Sequence, residues 1–201
     1  MAAQNNKRQR LTDAAMRLFH THGYHKTSLA DIAREARVPL GGIYYYFKTK
    51  DEIGIAVLET HAQRMRTAMA HWELDPDPLS RLHAYVDMTE TDRETFARSG
   101  CPIGSLCLEL DRDDDAALAA KATDLLRMSA DWVEAQFRAL GHRDSAQLAL
   151  HLVSVLQGSA LVANAFQDPV PLVQQCARMH AWINGLGVSP VRIVATAPRD
   201  A

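Results

Sequence analysis

Only three residues separate two short helix-like segments between Thr27 and Lys50, and that spacing constrains this chain more than any other feature. Leu29, Ile32, Ala33 and Ala36 recur at helical intervals, Arg37-Val38-Pro39 interrupts them, and Leu40, Ile43, Tyr44 and Phe47 resume the pattern. Amphipathic helices joined so closely must cross steeply, which leaves the second free to project from the surface. Upstream, Leu11, Ala14, Ala15, Leu18 and Phe19 fall at i, i+3, i+4, i+7 and i+8, an apolar stripe on a helix that ends near Gly23. The first fifty residues therefore read as three helices, the last two forming a helix-turn-helix of the kind that enters a major groove.

Charge is distributed to match. The net charge of −2 over 201 residues hides nine Lys or Arg against Asp13, Asp31 and Glu35 in residues 1–50, a net of +6. The remainder has thirteen basic against twenty-one acidic residues, a net of −8. DNA repels such a body and so turns the basic head towards itself. With Leu18-Phe19 and Gly23-Tyr24 closing the first helix, Ile32-Ala33 in the second, and Ile-Tyr-Tyr-Tyr-Phe-Lys-Thr-Lys-Asp-Glu at 43–52, the segment resembles the N-terminal domain of TetR-family transcriptional regulators. The resemblance implies a homodimer on a palindromic operator in double-stranded DNA. It also implies a small-molecule effector bound in the body that alters the spacing of the two heads and so couples to DNA binding. In that family the usual outcome is repression released by the effector.

The rest of the chain reads as helices punctuated by breakers. With 47% apolar and only 6% aromatic residues it suits an all-α fold. A helix from Lys50 to about Trp72 stops at Asp75-Pro76-Asp77-Pro78; another runs from Pro78 to about Arg98, ending at Ser99-Gly100-Cys101-Pro102. Ser105–Leu110 opens a short helix, and Asp111–Asp115 forms a turn or cap. Ala116–Leu140, closed by Gly141, is followed by Ser145–Phe166 and Pro171–Leu186. The expected division is residues 1–50 as the helix-turn-helix domain and 51–201 as a larger helical ligand-binding and dimerisation domain, about nine helices in all. Residues 1–10 have no apolar core behind their charges, three cysteines build no disulfide framework, and Leu148–Phe166 is interrupted by His151, Ser154, Gln157 and Asn164. A cytoplasmic protein without a membrane span is expected.

Thr27 and Ser28 sit where a helix begins, able to cap it or to meet a phosphate. The resemblance places Tyr44 and Lys50 on the phosphate backbone, with Tyr46 and Lys48 on the same edge. Where the family commonly has glycine this chain has Arg37, and where it has serine this chain has Pro39, which is suited to a first helical turn. Arg37, Leu40, Gly41, Tyr45 and Tyr46 offer few bidentate contacts to bases, so specificity is expected to lean on thymine-methyl contact by Leu40, on the tyrosines, and on DNA shape. Gly41-Gly42 in a helix costs roughly 1 kcal/mol per glycine, a cost that fits either close approach of the backbone to DNA or a relaxed helix start beside the turn.

For the effector, bulky or polar residues within otherwise apolar helices are the candidates: His83, Tyr85, Met88, Cys101, Met128, Trp132, Phe137, Gln157 and Asn164. The last two helices are the dimer candidates, through the stripe Leu172, Cys176, Met179 and Ile183 and the small residues Ala149, Gly158, Ser159, Ala160 and Ala163; the stripe serves equally as monomer core. Cys101, before a helix start, gives an alternative in which the same regulator senses electrophiles or oxidants. A sequence-independent DNA binder is a third reading. An enzyme with Cys101 as nucleophile and His83 as base has no supporting glycine-rich phosphate loop or nucleophile elbow, so neither catalysis nor a cofactor is expected. His20, His22 and His25 read as solvent-facing imidazoles of a turn rather than as a metal site.

Overall fold

The computed structural model describes residues 2–110 and 116–187, and every regular element among them is an α-helix. In chain order these are α1 (Ala2–His22), α2 (Leu29–Glu35), α3 (Leu40–Tyr46), α4 (Lys50–Trp72), α5 (Pro78–Thr91), α6 (Arg93–Ser99), α7 (Pro102–Leu110), α8 (Ala116–Ala139), α9 (Ser145–Phe166) and α10 (Val170–Gly187). Ten helices stand where about nine were expected, because the segment from Pro78 is broken at Asp92 (φ −89°, ψ 10°) into α5 and α6. Thr91 Oγ1 turns back to the Asp87 carbonyl at 2.8 Å at the end of α5. The expected turn at Asp111–Asp115 lies outside the described residues, as does the chain beyond 187.

The helix starts follow their capping residues. Ser28 and Asp31 form a reciprocal capping box on α2. Thr49 accepts from the Glu52 N–H at 3.1 Å to start α4, and Asp77 accepts from Leu79 N–H at 3.0 Å with Pro78 in the first turn of α5. Past α8 the chain turns at Gly141, whose φ of +91° a side chain would strain.

Two apolar cores result. The first gathers Leu11, Phe19, Ile32, Ile43 and Phe47 of α1–α3 with Ile53 and Val57 of α4, and continues without interruption into Leu106, Leu110, Leu118 and Leu125 of α7 and α8. The second joins the end of α4 to α5, α8, α9 and α10 through Tyr85, Trp132, Phe137, Leu152 and Leu172. Leu172, Cys176, Met179 and Ile183 of α10 belong to it and are buried within the protomer. That stripe is therefore core of the protomer, the second of its two readings.

By length and composition α9 is apolar enough to cross a membrane, the one such helix among the described residues. It packs against α6, α8 and α10, burying Ala149, Leu152, Val153, Leu156, Ala160 and Ala163 along one face. Leu150, Leu161, Val162 and Phe166 stay exposed on it.

At Gly54, α4 lies so close to its neighbours that an added Cβ would sit 3.2 Å from both Tyr24 Cε2 and Leu118 Cδ1. Replacing Gly54 with valine overpacks this joint and should destabilise the protein by about 1–3 kcal/mol, read as a lower midpoint in thermal unfolding followed by circular dichroism.

Candidate functional site

The turn between α2 and α3 is held by backbone bonds and one arginine. The N–H groups of Arg37 and Val38 fold back on the carbonyls of Arg34 (3.1 Å) and Ala33 (2.9 Å), which puts Arg37 at φ +55°. The guanidinium of Arg10, from α1, donates to the Ala36 carbonyl and to that of Arg37 at 3.1 Å, so oxygens at the end of α2 are satisfied from another helix. Pro39 occupies the N-cap of α3, one place before the first helical residue expected of it. Ile43 and Phe47 anchor α3 inward, while Leu40, Tyr44 and Tyr45 are 47%, 47% and 67% exposed on the outer face.

The sequence-selected residues of the head fall into three groups. Thr27 is buried and donates to the Gly23 carbonyl at 2.7 Å; the Ser28 hydroxyl is spent on Asp31. Ser28, then Arg34, holds the Asp31 carboxyl down at about 2. Lys50 is also committed, its ammonium 4.3 Å over the Tyr24 ring and 3.2 Å from the Tyr24 carbonyl. Tyr46 rests against the core and stacks edge-on with Tyr45 at 4.9 Å. Leu40, Gly41, Tyr44, Tyr45 and Lys48 share the outward face, with the Lys48 ammonium on the Tyr44 carbonyl and Arg37 exposed beside them. An added Cβ at Gly41 meets nothing within 4 Å, so no contact inside the protein demands that glycine.

A cavity of about 400 Å³ lies where α1 meets the body, within the size range of small-molecule sites. Its walls include Met16, Arg17 and His20 of α1, His61, Arg64 and Met65 of α4, Tyr85, Met88 and Thr89 of α5, Phe96 of α6, Ile103 of α7, and Leu156 and Gln157 of α9. Cys101 lines it too, at the junction where His20 Nε2 contacts the Gly100 carbonyl at 2.8 Å. Cys101 Sγ accepts from Gly104 N–H at 3.4 Å as α7 begins. Burial, then the positive charges of Arg64 and His20, push the His61 imidazole down to about 4.

Of the effector candidates the structure brings Tyr85, Met88, Cys101 and Gln157 together in this cavity. The other five lie outside it. Trp132 packs on Trp72 and donates its indole N–H to Glu73 at 2.8 Å; Phe137 meets Trp182; Met128 bridges the two cores; Asn164 donates to the Ala97 carbonyl at 3.1 Å. His83 stacks on His180 and bonds to Asn184, so it is not paired with Cys101 as a catalytic base would be. Of the histidines of the α1 turn, His22 and His25 are exposed as expected and His20 is half-buried. His20 reaches the cavity, and His25 contacts the Glu109 carbonyl at 3.1 Å; only His22 keeps to its own neighbourhood, on the Thr21 hydroxyl. Sequence reading missed Met16, Arg17, His20, His61 and Thr89 as cavity residues, although a histidine midway along a core-facing helix was a usable sign at His61.

Residues 11–57 match the family model described as bacterial regulatory proteins, tetR family. Over 169 residues the chain is 29% identical to an uncharacterized HTH-type transcriptional regulator in the lacX 3' region of Lactococcus lactis subsp. lactis, covering 81% of this chain and 86% of that one. It is also 29% identical to the HTH-type transcriptional repressor DhaR of Mycobacterium sp. (strain GP1), covering 86% and 89% of the two chains. Among solved structures it superposes on the regulatory protein TetR from Rhodobacter sphaeroides with a TM-score of 0.75 at 26% identity, over 86% of this chain and 96% of that one. On a TetR transcriptional regulator from Chloroflexus aurantiacus J-10-FL the TM-score is 0.81 at 21% identity, over 92% and 97%.

Two outcomes follow from this geometry. Arg37→Gly relieves a left-handed backbone at a non-glycine residue and should stabilise the protein by about 1 kcal/mol in denaturant unfolding. For His61 the folded value near 4 lies below the ordinary 6.5, so between those two pH values the unfolded chain binds more protons. Stability should therefore fall on acidification through that window, by up to about 1.4 kcal/mol per pH unit from this group. In His61→Gln, unfolding followed from pH 7 to pH 4.5 should show a shallower slope than the parent protein.

Proposed function

This chain belongs to the TetR family of transcriptional regulators, and from that premise we propose that it is a homodimeric repressor released from a palindromic operator when a small molecule enters the cavity beside α1. It binds DNA through its helix-turn-helix and regulates transcription; the effector, the dimer face and the residues that read DNA are the proposed parts. One observation carries the effector reading: Met16, Arg17 and His20, on the first helix of the head, line the same cavity as residues of α4, α5, α7 and α9. A ligand there touches head and body at once, so its binding energy can differ between two head positions, by the ~1–3 kcal/mol typical of such coupling.

Residues 1–50 act as the reading unit and the helices after it as the sensing and pairing unit. Leu40, Gly41, Tyr44, Tyr45, Lys48 and Arg37 form the reading face; Thr27, Ser28 and Lys50 hold that face in position. Two copies meet through the outward side of α9, where Leu150, Leu161, Val162 and Phe166 are exposed around Gly158, together with the small residues Ala177, Ala181 and Gly185 of α10. The setting is cytoplasmic. Thiol sensing through Cys101 is the alternative and is not better supported: that sulfur lines the same cavity, where it accepts from the Gly104 N–H at 3.4 Å, so a ligand and a thiol reagent would act at one place.

Genomic fragments retained by the purified protein at near-physiological salt, sequenced with and without variants, test the proposal. One enriched palindrome is expected. Leu40→Ala should relax base preference at one or two positions in each half-site, whereas Tyr44→Phe should weaken binding to all sequences alike, by about tenfold for one lost bond to a charged phosphate. Retention with no preferred sequence would overturn the reading in favour of a sequence-independent binder.

A further inference from the structure

The side of α5 that faces away from the cavity carries an unexplained polar cluster. Asp87 and Glu90, one turn apart on α5, and His180 on α10 each place one ligand atom so that all three lie within 4.8 Å of one another. His180 Nε2 is 3.0 Å from Asp87 Oδ1. Among the described residues neither carboxylate has a lysine or arginine partner.

The hydrogen-bond geometry around His180 fits this arrangement. With the Asn184 side-chain oxygen accepting from His83 Nε2–H at 2.9 Å, His83 Nδ1 carries a lone pair. It accepts from His180 Nδ1–H at 2.6 Å, the two rings stacked 4.9 Å apart. His180 thereby turns its other ring nitrogen, Nε2, towards Asp87 and Glu90. Two carboxylate oxygens and one imidazole nitrogen at this range form a donor set that fits a single cation between them. Metal-bound histidines have this arrangement, one nitrogen on the ion and the other donating to an orienting partner.

We propose that Asp87, Glu90 and His180 bind one divalent transition-metal ion, oriented by His83 and Asn184. One imidazole with two carboxylates suits Zn²⁺, Ni²⁺ or Co²⁺ better than Mg²⁺ or Ca²⁺, which take oxygen ligands alone. Water completes the coordination, since Asp87 is exposed. The ion clips α5 to α10 directly behind Tyr85, Met88 and Thr89, so its occupancy stiffens one wall of the effector cavity.

Full-length protein stripped with chelator and titrated with Co²⁺ or Zn²⁺ tests this. Expected are one ion bound per chain by equilibrium dialysis, visible Co²⁺ absorption bands, and a higher thermal midpoint with Zn²⁺. Asp87→Asn and Glu90→Gln, on a surface where folding tolerates them, should each weaken binding at least tenfold while leaving the midpoint in chelator unchanged. His83→Ala should cost about 10–100-fold as an orienting partner, and His22→Ala should change nothing. Absence of a stoichiometric ion, or binding that survives in Glu90→Gln and His180→Ala, would overturn the site and leave an imidazolium–carboxylate pair in its place.

Discussion

Tyr24 is the joint on which the rest of the molecule depends. Its ring is buried, meets Phe19 edge-on at 4.9 Å, and is approached by α4 only because residue 54 is glycine. A buried phenol must find a partner for its hydroxyl, and here the hydroxyl donates to the Asp51 carboxylate in the first turn of α4. Asp51 is well placed there, since the amide end of a helix favours negative charge. Lys50 covers the ring from the other side. One residue between α1 and α2 is thus tied three ways to the start of α4, and the first apolar core runs through that tie without a gap. Head and body share a core, so a shift of α4 cannot leave the reading helix where it was.

A second path joins the two parts farther along. His20 near the end of α1 reaches the Gly100 carbonyl, and His25 contacts the carbonyl of Glu109 on α7, whose carboxylate accepts the His25 backbone N–H at 3.3 Å. Gly100 has φ +74°, and the chain after it places Cys101 and the start of α7 in the cavity wall. Each of these hydrogen bonds is worth about 0.5–1.5 kcal/mol net. Losing one or two of them in one of two head positions supplies a coupling of the size that ligand control of DNA binding requires.

What could be read from the sequence was whatever a local rule decides. The ends of α9 and the run of α4 follow from periodicity with flanking caps, and the sharp turn before α3 follows from Arg37-Val38-Pro39. The break at Asp92 escaped because Thr91 and Asp92 are both tolerated within a helix, so no local signal marks it. Cavity membership escaped for a different reason. Helical spacing shows which side of α5 is covered, but Tyr85 and Trp132, which share Trp72 as a neighbour, look equally core-like until packing places the void beside Tyr85 and ties the Trp132 indole N–H to Glu73. His20 was misjudged because its partner, Gly100, is eighty residues away.

Helix α5 shows why function concentrates where local rules stop. Tyr85, Met88 and Thr89 turn to the cavity, while His83, Asp87 and Glu90 turn to α10, so one short helix carries two chemistries on opposite sides. An ordinary core helix has one apolar stripe and one solvated one. Here the face opposite the cavity is neither apolar nor fully solvated: it meets α10 through stacked imidazoles and carboxylates. Polar contacts of this kind are directional, and they fix the rotation of α5 about its own axis more tightly than apolar packing would. The wall of the cavity thereby acquires a defined position against α10. Since α10 and the exposed face of α9 lie together, the same contacts connect that wall to the surface through which we propose a second copy joins.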